Sequence, residues 1–456
     1  ISFESQNAFI GSVSNAMNIQ LGTGGLFTAN AVTAVYFTSD RDVNVNEISA
    51  QNLVNALITG GALLNGRADT ALNVSVNCAF VVSASSIGSS AKALRQNVDT
   101  MMFKTTDAAG IANIDEADSV RFVDVNAGAP GFDGHAGKAA SNVNIKANNN
   151  IIVDQRLGIT NGRLQIAADS LDVNFAVETQ AGNIDFDITN AAVIDASVVT
   201  QSGDVTFDAA SIDINAAVAS HLGSLALTSS GATTIDGTVD ANKSGTTSSA
   251  AGDITVTANS LDVNSAVETQ AGDIDFDITT DAVIDASVVT QSGDITVDSQ
   301  DSVTISAPGA LRASGTVTID VDSGAWAADA AGGVLNVSGS LEAALVNINS
   351  YDGDDTLTLA PVNIDGDVAV KLGDGRDTFT LSALNNRESY ETFHVDGEQK
   401  ADEFILNRGM NAVSYNITFS DSGTREDGAD FLTINLRDAD DASGEDLVLI
   451  LSLIHI

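Results

Sequence analysis

Aspartates that follow glycines at a fixed spacing are the first candidates for chemistry in this sequence. A Gly-x-Asp-x-apolar pattern occurs three times near the C-terminal end, with its aspartate at Asp355, Asp377 and Asp430. Carboxylate oxygens are ligands that hard cations prefer, so these three aspartates and the neighbouring carboxylates are the candidate metal ligands of the chain. The alternative is that DDTLTLA and RDTFTLS, 22 residues apart, are ordinary β-strands with acidic corners. The neighbouring carboxylates are Asp352, Asp354 and Asp374.

Acidic residues also recur in the middle of the chain, directly after glycines, at Asp253, Asp273 and Asp294. If these side chains stack at the strand spacing of about 4.8 Å, neighbouring charges repel by about 0.9 kcal/mol in water. Divalent cations or high salt would reduce this repulsion. The simpler interpretation is a solvated, solubilising surface. The outward aspartates that would extend the same face are Asp185, Asp187, Asp275 and Asp277.

Clustered carboxylates also suggest an alternative function, a polysaccharide lyase or hydrolase, which would pair them with an Arg, Lys or His. Basic partners are scarce, because residues 160–300 contain only Arg163 and Lys243. Before the last six residues the histidines are His135, His221 and His394, and none lies near a basic cluster in sequence. The sequence has no phosphate-binding loop, metal-ligand His or Cys spacing, or serine nucleophile motif. It therefore favours a protein that is not an enzyme.

The charge balance and the cysteine content exclude further classes. The chain has 19 Lys and Arg against 61 Asp and Glu, a net charge of -42, which argues against nucleic acid or an anionic membrane surface as partner. The single cysteine, Cys78, rules out an intrachain disulfide. No apolar run approaches the roughly 18 residues of a membrane-spanning helix, so no membrane span is expected.

A duplicated stretch indicates how these residues are positioned. Residues 170–208 and residues 260–298 are identical at 33 of 39 positions. A shorter period lies inside each copy, because the Thr179-Gln180 pair recurs 21 residues later as Thr200-Gln201. The repeating unit is therefore a coil of about 20 residues, near the lower end of known repeat lengths.

Apolar residues alternate within each coil, which is typical of strands with one buried face. Two and four residues after the glycine that opens a coil the chain is apolar, as at Ile184 and Phe186. We expect nine such pairs to stack in columns, the last of them Leu335 and Val337. A second predicted column contains Val173, Ile194, Ile214 and Val263, and the residue that follows each of them is polar, namely Asn174, Asp195, Asn215 and Asn264.

A coil of this length cannot enclose a core, so its apolar faces must be covered by the coils before and after it. The predicted fold class is all-β: a right-handed parallel β-helix, that is, a solenoid of about 20-residue coils. A small β domain or cap is one option for the region beyond Asn385, where the period is lost. Helical repeats need longer units, with apolar residues at i, i+3 and i+4, and do not fit.

Four regions follow from these patterns. Residues 1–150 are predicted to form an irregular β-helix segment, in which 50–64 is either a short outer helix or two buried strands. Residues 151–350 form the regular repeats, and an insertion at 241–251 is the best candidate there for a binding loop. Residues 351–450 form an acidic, Gly- and Asp-rich β segment. Residues 451–456 read LSLIHI and are interpreted as a translated sequencing adapter, and the start at Ile1, without Met or a signal segment, suggests a processed protein or a fragment.

The repeated Gly-Asp-Ile-x-Phe-Asp and Ser-Leu-Asp-Val-Asn units, preceded by SNVNIKANNNIIV at 141–153, resemble the β-helical shafts of bacterial exoproteins of the filamentous haemagglutinin type. The resemblance implies a fragment of a large secreted or cell-surface protein that acts as a rigid adhesive or structural rod in surface or biofilm contact. It also implies an extracellular or outer-surface location and a glycan or protein ligand that the sequence does not identify. It carries over no catalytic residue.

The first two Gly-x-Asp motifs are similar to the calcium nonapeptide of RTX β-rolls. That resemblance implies that the aspartate and the turn carbonyls bind the ion. The RTX family repeats its nonapeptides in immediate tandem, whereas the glycines of the three copies here lie 22 and 53 residues apart. The calcium ligands that the resemblance implies are Asp355 and Asp377 with the neighbouring Asp352, Asp354 and Asp374, and Asp430 in the third copy.

Overall fold

The computed structural model of the chain describes residues 1–6, 8–123, 135–139, 141–242, 252–323, 332–360, 362–382, 384–386, 392–398, 400–407, 416–420 and 431–435. Regular secondary structure in these ranges consists of β-strands, without a helix. The chain divides into two compact units, Ile1–Ser229 and Ser230–Ile456. Both are parallel β-solenoids, which confirms the predicted all-β, parallel β-helical fold class.

The first unit contains strands β1 to β26. Their bounds are β1 Ser2–Ser5, β2 Phe9–Ile10, β3 Met17–Asn18, β4 Leu26–Ala31, β5 Ala34–Ser39, β6 Val43–Ala50, β7 Leu53–Ile58, β8 Leu63–Asn65, β9 Val74–Ala84, β10 Leu94–Thr105, β11 Ala112–Glu116, β12 Val120–Phe122, β13 His135–Ala139, β14 Val143–Ala147, β15 Asn150–Val153, β16 Arg156–Ile159, β17 Leu164–Ala168, β18 Ser170–Val173, β19 Val177–Thr179, β20 Ile184–Ile188, β21 Ala191–Ile194, β22 Val198–Thr200, β23 Val205–Ala209, β24 Ser211–Ile214, β25 Val218–Ser220 and β26 Leu225–Ser229.

The second unit contains strands β27 to β48. Their bounds are β27 Ala232–Ile235, β28 Val239–Ala241, β29 Ile254–Ala258, β30 Ser260–Val263, β31 Val267–Thr269, β32 Ile274–Ile278, β33 Asp281–Ile284, β34 Ser287–Thr290, β35 Ile295–Ser299, β36 Ser302–Ile305, β37 Ala310–Ala313, β38 Thr316–Val321, β39 Val334–Val337, β40 Ser340–Ser350, β41 Thr356–Leu359, β42 Val362–Lys371, β43 Thr378–Ser382, β44 Leu384–Asn386, β45 Thr392–Asp396, β46 Glu403–Asn407, β47 Asn416–Ser420 and β48 Phe431–Asn435.

One coil of the regular part consists of three strands, because each strand pairs in parallel with the strand three places further on. In the first unit β20 pairs with β23, β21 with β24 and β22 with β25. Ile184 therefore lies beside Val205, and Val205 beside Leu225, and all three are buried. Residues one coil apart in sequence are neighbours in space, as the period predicted.

The second unit repeats this arrangement with its own apolar columns. Ile254 pairs with Ile274, Ile274 with Ile295 and Ile295 with Val317, and every one of them is buried. Burial of such a side chain contributes about 1.5 to 3 kcal/mol. The side chains between them along each strand point outward, because successive residues of a strand face opposite sides.

Glycine and threonine together form the corner that opens each coil. Gly182 has φ of +121°, and a Cβ there would lie 2.4 Å from the carbonyl oxygen of Gly162 in the preceding coil, so no other residue fits. The buried hydroxyl groups of Thr179 and Thr200 donate hydrogen bonds of 2.8 and 3.0 Å to the carbonyl oxygen of Gly182. The repeated Thr-Gln-x-Gly sequence is thus a structural corner.

The irregular N-terminal region uses the same parallel pairing. Strands β4 and β6 pair in parallel with a shift of register between Phe27 and Thr28, and β5 pairs with β7 in parallel as well. The stretch 50–64, for which a helix and two strands were both open, contains β7 (Leu53–Ile58) and the start of β8 (Leu63–Asn65). Its apolar residues are strand residues buried at alternate positions.

The prediction that the last apolar pair, Leu335 and Val337, follows Val317 in its column was wrong. Leu335 and Val337 do not continue the column of Val317, because β39 pairs with β36 and places Leu335 beside Val303. The column of Val317 continues at Val346, in β40. The long connection between β38 and β39 moves Gly333 to a different corner of the coil, so a glycine alone did not identify the start of a coil.

The parallel coils continue beyond Asn385 in the described residues. Strand β43 pairs with β46, β45 with β47 and β46 with β48, all in parallel. The segments that the structure describes there belong to further coils, and an antiparallel cap is not among them. Residues 451–456 lie outside the described residues.

Candidate functional site

Two of the acidic turns near the C-terminal end stack directly on each other. The turn before β41 and the turn before β43 are joined by a parallel bridge between Asp352 and Asp374. The Gly353 amide donates to the carbonyl oxygen of Asp374 at 3.0 Å, and the Asp374 amide donates to the carbonyl oxygen of Tyr351 at 3.0 Å. The spacing of 22 residues is therefore one coil, as the alternative interpretation held.

Three buried aspartates form a column beside these turns, which we call the carboxylate column: Asp355, Asp377 and Asp402, each 1% exposed. The Gly333 amide donates to Oδ1 of Asp355 at 2.5 Å, and the Asp355 amide donates to Oδ1 of Asp377 at 2.9 Å. The Asp377 amide donates in turn to Oδ1 of Asp402 at 3.0 Å. Each carboxyl group thus accepts a hydrogen bond from the preceding coil.

The second oxygen of two of these carboxyl groups is unsatisfied. Oδ2 of Asp355 and Oδ2 of Asp377 are buried and have no hydrogen-bond partner. Burial, helped by the neighbouring carboxylates of Asp355 and Asp402, raises the pKa of Asp377 to about 8 against the hydrogen bond from the Asp355 amide. Burial also raises the pKa of Asp355. The column can therefore hold a proton or a cation that compensates the buried charge.

Of the other predicted calcium residues, the described ones belong to the stacked turns and are not members of the column. Asp352 and Asp354 are exposed, and Oδ1 of Asp354 accepts a hydrogen bond of 3.0 Å from the Arg376 amide. Asp374 is half-buried, and Asp430 lies outside the described residues. Among the residues that are described, no group of three or more His, Cys, Asp and Glu side chains converges as metal ligands would.

Asp402 is a member of the column that the motif did not reveal. The Gly-x-Asp pattern failed because Lys400 occupies the position of Gly353, two residues before the aspartate. Lys400 nevertheless adopts φ of +74°, the left-handed conformation that favours glycine. A search for aspartate before an alternating strand, ADEFIL, would have found Asp402 without requiring the glycine.

The predicted stack of acidic corners in the regular repeats is confirmed. Oδ1 of Asp253 accepts a hydrogen bond of 3.0 Å from the Asp273 amide, and Oδ1 of Asp273 accepts one of 2.9 Å from the Asp294 amide. Each carboxylate binds the amide of the coil that follows it. These charge-assisted hydrogen bonds offset part of the repulsion along the stack.

The polar column beside Val173 and Ile194 alternates between amide and carboxylate. In the first unit Asn174 Nδ2 donates to Asp154 Oδ1, and Asn215 Nδ2 donates to Asp195 Oδ1, both at 2.9 Å. In the second unit Asn264 Nδ2 donates to Asp236 Oδ1, also at 2.9 Å. Alternation keeps carboxylates in neighbouring coils from facing each other.

Outward carboxylates form a second acidic column in the second unit. Asp277 pairs in register with Asp298, and Asp298 with Asp320. Partial burial raises the pKa of Asp320, and the carboxylate of Asp298 adds to the shift, although Asn349 donates a hydrogen bond of 2.6 Å to it. The pKa of Tyr351 is raised by partial burial and then by Asp320 and Asp298. This face is strongly anionic and accessible.

The three described histidines lie at a corner or on strands of the solenoid. His221 is half-buried at a corner, where its amide donates to the carbonyl oxygen of Thr200 at 3.0 Å. His394 is exposed on β45, and its Nε2 lies 3.2 Å from Oγ of Ser420. His135 begins β13. The insertion predicted as a binding loop lies outside the described residues from position 243 to 251.

One family model matches the chain. The Toastrack DUF4097 family matches residues 138–325, the part that contains the regular coils and less than half of the 456 residues. No curated protein and no solved structure matches. The structure holds no helix, in the ranges it describes, that is long and apolar enough to cross a membrane.

Proposed function

We propose that the chain is the structural scaffold of a large secreted or cell-surface bacterial protein, a stiff support that contacts external surfaces. The observation that carries the proposal is the parallel register of apolar columns in the regular coils, such as Ile184, Val205 and Leu225. In a solenoid each coil is stabilised by its neighbours, so further coils extend the scaffold without a larger core. The likeness to a Toastrack family supports a repeat scaffold.

The proposal that the chain adheres to external surfaces rests on its outer faces. Stacked strands place like residues in rows, so Asp277, Asp298 and Asp320 form a linear anionic surface. Such a row suits contact with cations, or with glycans and proteins that carry them, rather than with nucleic acid. The resemblance to haemagglutinin-type shafts supports a location outside the cell.

Calcium is proposed as a stabiliser of the second unit. The unsatisfied Oδ2 atoms of Asp355 and Asp377 are oxygen donors of the kind Ca²⁺ prefers, and the stacked turns add the backbone carbonyls around Asp374. A bound ion would neutralise the buried charge of the column. We expect CaCl₂ to raise the Tm of the wild type and to leave Asp355→Asn/Asp377→Asn unchanged. An unchanged wild-type Tm would remove calcium from the proposal.

A surface-labelling and adhesion experiment tests the main proposal. Antibodies raised against the purified chain are expected to label intact cells of the source bacterium, and beads coated with it should bind immobilised polysaccharide or collagen more than albumin-coated beads. Labelling only after cell lysis would contradict the location. Release of reducing or unsaturated sugars from the polysaccharide would favour the alternative, a lyase or hydrolase on the same scaffold.

A further inference from the structure

A single buried glutamate interrupts the apolar interior of the first unit. Glu116 is the last residue of β11, and its side chain follows the buried Ala112 and Ile114 to the inside. It pairs with Gln96 of β10 on one side and with Ala147 of β14 on the other, and it is 0% exposed. A carboxyl group at this position has lost its hydration entirely.

The contacts of the carboxyl group are long and come from amides. The Val98 amide lies 3.3 Å from both Oε1 and Oε2, and the Asp118 amide lies 3.3 Å from Oε1. The side-chain amide of Gln96, which pairs in register with Glu116, also lowers the pKa of the carboxyl group. These donors are neutral, and no cation is among them.

The charged residues on the surrounding elements lie toward the surface and do not neutralise the buried carboxyl group of Glu116. All of them are exposed or half-exposed, and two of them, Arg95 and Asp115, form their own ion pair at 3.3 Å. The charged residues of these elements near Glu116 are Arg95 and Asp99 on β10, Asp115 on β11, Asp118 in the turn after it and Lys146 on β14, whereas Lys104 lies at the far end of β10, beside β13.

An acceptor without a donor lies in the same column. Oε1 of Gln96 is buried and has no hydrogen-bond partner, while Nε2 of the same side chain lies 3.1 Å from Sδ of Met101. A buried acceptor without a donor is costly. A protonated Glu116 would supply the missing donor, because a neutral carboxylic acid has one O–H group and an ionised one has none.

We propose that Glu116 is held as the neutral acid, that its O–H group donates to Oε1 of Gln96, and that loss of this proton at alkaline pH loosens the coil of β10 and β11. The O–H group then satisfies the buried acceptor of Gln96 that otherwise has no partner. Burial raises the pKa of Glu116 to about 8, against the hydrogen bonds from the amides, which agrees with this geometry. The folded state therefore binds a proton that the unfolded chain has released.

The sign of the effect follows from this difference in proton binding. Stability falls as pH rises wherever the folded state binds more protons than the unfolded state. For Glu116 this window extends from about pH 4.3, the pKa of a free glutamate, to about pH 8. One proton changes the opening equilibrium by about tenfold per pH unit.

Hydrogen exchange of the Val98 and Asp118 amides tests the proposal on the whole chain. In the wild type we expect their opening constants to increase about tenfold per pH unit between about pH 5 and pH 8, after correction for intrinsic exchange. Glu116→Gln keeps the shape of the side chain and a hydrogen-bond donor but has no titratable proton, so its opening constants should not change with pH. Asp115→Asn, the matched change at the surface, should retain the wild-type dependence.

The infrared carbonyl bands of protonated carboxyl groups are a second measurement. The wild type should lose the bands of Glu116 and Asp377 above about pH 8, and only the Glu116 component should be absent from Glu116→Gln. Equal pH dependence in the wild type and Glu116→Gln would overturn the proposal, as would an ionised Glu116 at about pH 6, well below the folded-state pKa.

Discussion

The backbone amide of Asp355 donates a hydrogen bond of 2.9 Å to Oδ1 of Asp377, one coil further along the chain, and both side chains are 1% exposed. In the regular repeats the Asp273 amide donates to Oδ1 of Asp253, one coil earlier in the chain, and Asp273 is exposed. Hydrogen bonds of the same kind therefore occur in a buried and in a solvated carboxylate stack. The main difference between them is the cost of burying the charge.

The first prediction concerns Asp377→Asn. Burial raises the pKa of Asp377 to about 8, so the folded state retains a proton that the unfolded chain releases at about pH 4. Wild-type stability should fall by up to about 1.4 kcal/mol per pH unit between these values, and the variant should lack this slope. Urea unfolding of the second unit in the presence of a chelator measures the difference.

Asp273→Asn is the matched control for that experiment. Its side chain also stands at a corner of the coil and accepts a hydrogen bond from a backbone amide of the neighbouring coil, but it is exposed. We expect its pH slope to equal that of the wild type. Equal slopes in all three proteins would contradict a buried, proton-binding column.

The second prediction concerns the aromatic contact in the core of the first unit. The rings of Phe186 and Phe207 lie 4.7 Å apart, and Phe207 is 1% exposed. Phe207→Ala should destabilise the unit by about 3 to 5 kcal/mol, because it removes apolar area and leaves a cavity. Thermal or urea unfolding followed by circular dichroism measures the loss.

Phe175 provides the control that the chain itself offers. It is 45% exposed, and the second copy of the repeat has Ser265 at the equivalent position. Phe175→Ser should change stability by no more than about 0.5 kcal/mol. A loss comparable to that of Phe207→Ala would show that the inward and outward faces had been assigned incorrectly.

The third prediction concerns the hydroxyl column at the corners. The Thr200 side chain is fully buried, and its hydroxyl group donates to the carbonyl oxygen of Gly182 at 3.0 Å. Thr200→Val keeps the shape and removes the donor, so we expect a loss of about 1 to 2 kcal/mol in the free energy of unfolding. Thr228→Val, at an exposed strand position, should be close to neutral.

Much of the fold was predictable because, in a parallel stack of coils, residues one period apart in sequence lie side by side in space. Thr179 and Thr200 are one period apart and pair in register. The same reasoning failed at Leu335. The connection between β38 and β39 is long, so the glycine before Leu335 precedes a different strand of the coil. The length of a corner is not limited by packing in the core, so it cannot be predicted from the sequence period.

The candidate site was predictable only in part, for a related reason. Asp355 and Asp377 share a glycine two residues earlier, whereas Asp402 has Lys400 there in the left-handed conformation. Glu116 lies in the irregular segment, where no repeat identified which residues face inward. Burial of a single polar residue depends on its neighbours in space, and these became known only with the register of β10, β11 and β14.

The fourth prediction concerns the alternation of amide and carboxylate in the polar column of the first unit. Asn215 donates to Asp195 at 2.9 Å, and both side chains are exposed. Asn215→Asp removes this donor and places two carboxylates about one strand spacing apart, which costs about 1 kcal/mol by repulsion in water. We expect the free energy of unfolding to fall at low salt and to recover partly at molar salt, because the Debye length then shrinks to about 3 Å.

Asp195→Asn provides the opposite charge change at the adjacent position of the same column. The column would then carry amide side chains in three consecutive coils, with the substituted position between Asn174 and Asn215, and stacked amides can still hydrogen-bond to each other. The stability of this variant should therefore show little additional dependence on salt. If Asn215→Asp were equally destabilised at low and at high salt, charge would not be the reason for the alternation, and the lost hydrogen bond alone would account for it.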